Sequence, residues 1–365
     1  MKRYFFIFFL VFFCNKILGD KVYNSFETLN LTFPARYFAL GGAGVALCDD
    51  ISSVFINSSR LVQLKSFSFC AGGSIQFDDA YSTTVAASIP MPLGVFAGFL
   101  SWFNYGPAEI RTSDTLEPDY IFYPSDIIAG IGFGSSLFNF FSYGINLKYI
   151  QGTYSQKDII YAFAADLNTH FDIKFIKGFQ AGFTVNNLGI IPDINYKNNS
   201  LPLVFVAGFA YPVELETPVA GLYDIKTALD LEVNTLFNIR VLSGIEWCWY
   251  HIIPDMHITL RTGFSFPVDT AWFSMLRLGA GLEWKTFSLD YGCGFFQDLG
   301  FIHRITLSYR SFPLPEKRFV RITSEKTIKR TLQEIDNVIK KSSSITNSSP
   351  KEYKKEEEEY DFEEE

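Results

Sequence analysis

The chain has 365 residues, a formal net charge of −8, and 48% hydrophobic and 17% aromatic content, with 39 Phe against 4 Met. Its mean hydropathy of +0.12 is too low for a bundle of membrane-spanning helices, and its pI near 5.2 argues against nucleic acid as a partner. So many rings suit a protein that meets lipid, because a soluble core is filled more economically by Leu, Ile and Val.

The N-terminus reads as an export signal. Lys2 and Arg3 precede the apolar run Tyr4 to Phe13, about ten residues, half of the roughly 20 that a spanning helix needs. Cleavage after Gly19 makes residues 1–19 the signal. Lipidation at Cys14 is the weaker alternative, since bulky Phe13 precedes it where a small residue is wanted. Past residue 19 no stretch offers about 18 consecutive apolar residues, which excludes helical spans. Cys48, Cys70, Cys248 and Cys293 have no metal-ligand spacing. Export permits a Cys48–Cys70 disulfide, but cysteines inside strand-like runs are more often small packed residues.

Residues 20–65 are Gly-rich and then helical in pattern. Asp49 or Asp50 is placed to cap a short helix whose apolar face is Ile51, Val54 and Phe55. From Ser66 to Phe312 runs of nine to eleven residues alternate polar and apolar between Pro, Gly, Asn and Asp spacers. In Met275–Trp284, for example, Arg277, Gly279, Gly281 and Glu283 oppose Leu276, Leu278, Ala280, Leu282 and Trp284. That period of two defines strands. Such runs fall at about 66–77, 80–89, 94–105, 126–137, 141–152, 161–171, 178–187, 203–211, 225–233, 238–249, 256–266, 275–284, 287–296 and 303–312.

About fourteen strands result, an even number, with short spacers alternating with longer ones at about 106–125 and 188–202. The polar faces carry Gly, Ser, Thr and Asn where a soluble sandwich would show Lys and Glu. The fold class expected is therefore all-β: a transmembrane antiparallel β-barrel of about 14 strands with a small N-terminal helical hatch or plug. Residues 313–365 follow the barrel. Ile328, Leu332, Ile335 and Ile339 have helical spacing, and the acidic run Glu356 to Glu365 closes the chain. The expectation is either an amphipathic helix for a periplasmic protein partner or a solvated tail, with both chain termini periplasmic.

The segment Ala35–Leu64 carries a small-residue turn (Gly41, Gly42, Gly44), an acidic pair (Asp49, Asp50) and Asn57 and Leu61 within a short Asn-Ser-Ser-Arg-Leu run. It resembles the N-terminal signature of the FadL-type outer-membrane transporter superfamily, and within it the PorV/PorQ-like branch and uncharacterised spirochaete relatives. Pro, Ala and Gly of that signature's Asn-Pro-Ala-Gly-Leu motif are replaced here. Asn186-Asn187-Leu188-Gly189, Leu289-Asp290-Tyr291 and the closing His303 to Ser308 stretch extend the likeness over about 35–312. The resemblance implies a bacterial outer-membrane location and an N-terminal hatch inside the barrel. For function it implies passive uptake of hydrophobic molecules, long-chain fatty acids first, or in the PorV-like branch a non-transporting barrel that serves protein secretion or envelope assembly.

Lys148, Asp166, Asp230, Glu232, Arg240, Glu246, Arg261, Arg277, Glu283, Asp290, Arg304 and Arg310 fall on the inward face. Mixed signs on neighbouring strands favour ion pairs that fix the plug and the register over a selectivity filter, which would show one dominant sign. The external loops are apolar at Tyr120, Ile121, Phe122 and Tyr123, at Ile190 and Ile191, and at Trp272 and Phe273. They suit either capture of a lipid-like ligand or an aromatic girdle. His170, His251, His257 and His303 show no metal or triad spacing, and no Gly-x-Ser-x-Gly elbow is present. No enzyme activity and no cofactor is expected; the partners expected are outer-membrane lipid and a hydrophobic small molecule.

Overall fold

The computed structural model describes residues 23–31, 34–111, 117–155, 158–173, 175–176, 178–192, 199–217, 221–234, 238–253, 255–267, 276–296 and 300–311. The signal, the tail after residue 312, and loop residues Trp272 and Phe273 lie outside them. The chain divides into residues 1–314 and 315–365, and everything below concerns the first unit.

Alternation becomes a wall of fourteen strands: β1 (Ser68–Ile75), β2 (Tyr81–Met91), β3 (Gly94–Asn104), β4 (Ser125–Phe138), β5 (Phe141–Thr153), β6 (Ile159–Asp172), β7 (Gln180–Ile190), β8 (Val204–Thr217), β9 (Gly221–Asn234), β10 (Ile239–Ile253), β11 (Met256–Pro267), β12 (Leu276–Trp284), β13 (Phe287–Phe296) and β14 (Gly300–Arg310). Each pairs antiparallel with its neighbours in sequence, and β14 closes on β1 through Arg310↔Ser68 to His303↔Ile75. Closure leaves no ladder edge unpaired, the condition for a sheet to stand in hydrocarbon.

Phe69, Phe96, Leu100, Trp102, Tyr143 and Leu147 stand exposed on the outer wall, while Ser74, Ser82, Thr84, Ser101, Asn146 and Asn168 are buried inside. Among the described residues no helix is long and apolar enough to cross a membrane. One barrel end carries two-residue turns, such as Pro92–Leu93 and Lys285–Thr286; we call it the turn end. The other, the loop end, carries the connections 105–124 and 191–203.

Two expectations need correction. Strands β8, β9 and β10 run past the expected 203–211, 225–233 and 238–249, meeting in register as far as Thr217↔Gly221 and Tyr223↔Trp249. Pro212 reads as a breaker in sequence, yet it sits in the ladder opposite Lys226. Ile190 belongs to the outer wall as the last residue of β7, 66% exposed, rather than to a loop. Ile191 packs against a buried apolar cluster instead.

Candidate functional site

Inside the barrel runs the segment before β1. Helix α1 (Ala35–Ala39), the glycine turn, helix α2 (Ser53–Ile56) and a 3-10 turn over Ser58–Gln63 fill the lumen. Tyr37, Leu40, Ala43, Val54 and Leu61 are buried within it. This plug joins the wall at the turn end, where Leu64 leads into β1. Its other end, Tyr23–Asn24, pairs in parallel with Asn199–Ser200 in the connection between β7 and β8. The described chain therefore starts at the loop end, opposite Ser311. Sequence reasoning placed both termini at one end because an even strand count fixes only where the barrel begins and ends, not where its plug leads.

Backbone proximity seats the plug. Gly41 has φ +72°, a left-handed conformation that glycine adopts without strain, and lies against the Phe264 backbone. Gly263 on β11 faces it, and a β-carbon there would fall inside contact distance of Gly41 N and Leu40. Asp230 Oδ2 accepts the N–H groups of Gly44 (2.8 Å) and Val45 (3.0 Å).

Charge then locks it. Arg36 Nε and Nη2 each donate to Glu246 at 2.9 Å, and Nη1 reaches Asp50 at 2.8 Å and Asp49 at 2.5 Å. Glu246 also accepts from Arg261 Nε (2.7 Å), and Arg261 Nη1 meets Asp290 at 2.7 Å. Lys226 lies 3.2 Å from Asp49 and 3.4 Å from Glu246. Three cations and four carboxylates thus tie α1 to the acidic pair of the plug and to strands β9, β10, β11 and β13.

Burial works against the Asp49 charge, yet Arg36 and Lys226 outweigh it and hold the carboxyl well below the usual range. A depressed pKa contributes seating that is complete above the ordinary carboxylate value and fades as pH falls toward the folded-state pKa. The Asp49 share of plug seating, read as the difference in protease protection between the parent and Asp49→Asn proteins, should therefore hold from neutral pH down to about pH 4, the ordinary carboxylate range. Loss of that share is expected only below it.

At the turn end Asn57, fully buried, donates to Val45 O (2.7 Å) and Thr169 O (3.1 Å) and accepts from Ser59 N (3.1 Å) and Ser59 Oγ. Arg60 Nε donates to Cys48 O at 2.6 Å, and its Nη1 lies 2.7 Å from His170 Nε2. Asp50 Oδ1 accepts the Ser52 N–H (2.8 Å) ahead of α2, and Phe55 within α2 meets Phe99 edge to face at 5.3 Å. Leu61 packs against Gly134. Asn57→Ala should weaken plug docking by about 1–3 kcal/mol, because it strands buried partners. Faster proteolysis of the plug in an intact barrel would report it.

Six of the remaining inward charges pair locally: Lys148 with Asp166 (2.7 Å), Arg240 with Glu232 (2.5 Å) and Arg310 with Glu283 (3.1 Å). Lys148 also donates to Asn187, which holds a bulge in β7 with φ +66° and bonds Pro202 O at 2.9 Å. Cys48 and Cys70 are both buried free thiols, the packed arrangement rather than the permitted disulfide. Burial pushes the Cys48 thiol up to about 12. Arg36, Arg60, Asp126 and Lys226 are functional residues that sequence reasoning left out. One signal was available: Arg36 and Arg60 are the two basic residues between Val22 and Leu64, and a cation in a stretch of small apolar residues demands a partner.

Above the plug, toward the loop end, lies a cavity of about 360 Å³. The plug contributes Phe38, Val45, Phe55 and Ile56; the wall contributes Val204, Val206, Leu242 and Ile302; Leu29 and Leu31 lie over it. Asp230, Glu232, Arg240, Arg277 and Arg304 supply its polar rim. The Arg277 and Arg304 guanidiniums stack on Phe38 at 5.2 and 4.5 Å. A larger apolar hollow of about 680 Å³ lies on the outer wall across β1 to β6, around Gly98 and Ala129, on the side away from the lumen. The apolar loop residues Tyr120, Ile121 and Phe122 form a short hairpin with Ala108–Ile110, and Tyr120, Ile121 and Tyr123 are exposed. Among the described residues no group of three or more His, Cys, Asp and Glu side chains is placed to hold a metal ion.

No protein-family model matches the sequence, and no curated protein matches it. Solved structures do share the fold. A deltaS2 mutant of the TodX monoaromatic hydrocarbon channel superposes with a TM-score of 0.54 at 11% identity, over 77% of this chain and 99% of that one. The P. putida toluene transporter TodX gives 0.52 at 10% identity, over 76% and 98%. The CymD monoaromatic hydrocarbon channel gives 0.51 at 10% identity, over 76% and 97%. The likeness is one of architecture: a closed 14-strand antiparallel barrel with short N-terminal helical pieces.

Proposed function

We propose that this chain is a bacterial outer-membrane barrel that admits small hydrophobic molecules passively, binding them in the loop-end cavity and passing them when the plug shifts. The observation that carries the reading is the cavity itself, enclosed between plug and wall on the loop side and lined by Phe38, Val45, Ile56, Val204, Val206 and Leu242. Its volume lies at the lower end of the range, about 300–1,000 Å³, typical of small-molecule sites. Fatty acids are the class that the sequence resemblance implies, and the similar solved channels are described as carrying monoaromatic hydrocarbons. About 360 Å³ favours a compact molecule, one ring or a folded chain, over a long extended one. Orientation follows the strand count: turn end and acidic tail to the periplasm, apolar hairpin outward, with residues 1–19 removed on export.

Uptake of a labelled monoaromatic hydrocarbon and of a labelled long-chain fatty acid into liposomes bearing the protein tests this. Flux above that of empty liposomes is expected, larger for the compact probe, and larger again when residues 20–64 are deleted. No flux above empty liposomes for either probe, with no change on that deletion, would sink the proposal. A second reading, a non-transporting barrel for secreted or envelope proteins, draws on the exposed apolar hairpin at Tyr120–Tyr123. It expects hairpin deletion to abolish function in cells while leaving flux unchanged.

A further inference from the structure

Leu29 and Leu31 line the cavity, and one buried carboxylate bonds their segment to two loops. Asp126, the second residue of β4, is fully buried. Three hydroxyls donate to it: Thr28 (2.6 Å) and Tyr105 (2.7 Å) to Oδ2, and Tyr154 (2.9 Å) to Oδ1. The donors come from three separate places. Thr28 belongs to the start of the plug, ahead of α1, Tyr105 opens the connection after β3, and Tyr154 opens the connection after β5. Phe26, Tyr154 and Tyr105 continue the contact as rings 6.3 Å apart at each step.

We propose that Phe26–Leu31 is a lid over the loop-end cavity and that Asp126 is its latch, set by the two loops that carry Tyr105 and Tyr154. A buried carboxylate oxygen that loses a hydrogen-bond donor is left unsatisfied at a cost in free energy. Withdrawing one loop removes a donor, weakens the shared network and frees the lid, so events at the outer loops reach the cavity through one residue. The lid is held besides by Ser25 N donating to Ser200 O and Asn199 Nδ2 to Ser25 Oγ, and by Phe26, Leu29 and Leu31 packing with the buried cluster around Val54 and Leu61.

The inference rests on the reading that the cavity takes cargo, and the test separates the two. Leu242→Cys places a thiol beneath the lid, at a position 5% exposed and on the cavity wall. Its reaction with a membrane-impermeant maleimide, added on the loop side of protein in liposomes, reports opening; labelling of the chain without this change is subtracted. Asp126→Asn and, separately, Thr28→Val are each combined with it. Thr28→Val leaves Asp126 bonded to both tyrosines and keeps the test alive if Asp126→Asn fails to fold. Both should raise the labelling rate about tenfold, the factor that loss of ~1.4 kcal/mol of latch converts to. Unchanged labelling in a folded Thr28→Val protein overturns the latch, whatever the flux. Faster labelling with unchanged flux of the labelled probes upholds the latch and removes the cavity as the cargo site.

Discussion

Arg36→Met is expected to leave a folded barrel whose plug no longer seats. Arg36 is 8% exposed and serves Glu246, Asp49 and Asp50 together. Met keeps the bulk of the side chain and takes away the charge, so Glu246 retains Arg261 and Lys226 while the acidic pair loses its main partner. Removing one member of a buried ion pair costs about 3–5 kcal/mol. The Asp49 share is discounted, since its side chain is 38% exposed. Even the lower figure shifts the seated-to-displaced ratio by roughly two orders of magnitude. Single-channel recording should show a long-lived open level that is rare in the parent. Heat-shifted mobility on gels should confirm that the barrel persists. An unchanged conductance with a less stable barrel would mean that Arg36 braces the wall and does not hold the plug.

Gly263→Val attacks the same contact from the wall. The added side chain meets Gly41 N and the Leu40 backbone, which approach β11 closely because no β-carbon stands there. Overpacking a filled interior costs about 1–3 kcal/mol, and backbone atoms yield less readily than flexible side chains. The wall itself loses nothing, since Gly263 keeps its ladder places opposite Gly244 and Arg277 and Val favours strands. The open level should therefore appear here too. Combined with Arg36→Met it should add little, because both changes displace one body. Full additivity of the two would show that they act on different structures.

The wall was legible because its signal repeats: every second residue from Ser68 to Arg310 answers to lipid or lumen, and the period of two survives local exceptions. Pro212 hid the ends of β8 and β9 for a local reason, since a proline at a strand's far end looks the same as one in a turn. The plug was legible as a segment, through Gly41, Gly42 and Gly44, yet its partners were not. Arg36 meets Glu246 across 210 positions and Thr28 meets Asp126 across 98. Those contacts depend on barrel radius and strand stagger, which no local pattern encodes. The inward charges could be assigned to a face, but which of them would pair with the plug and which with each other could not.

The plug enters the lumen at the turn end, where Leu64 meets β1, and its start is held at the loop end by Asn199 and Ser200. A chain lying lengthwise inside a ring that its own first and last strands complete imposes an order on assembly. Either the plug is already inside when β14 reaches β1, or a loose end must thread a finished tube. The pairing of Tyr309 with Phe69 is then a clasp fastened around cargo of the protein's own making. A bulky folded domain fused ahead of Tyr23 would be carried to the face of the membrane opposite the one where the barrel begins.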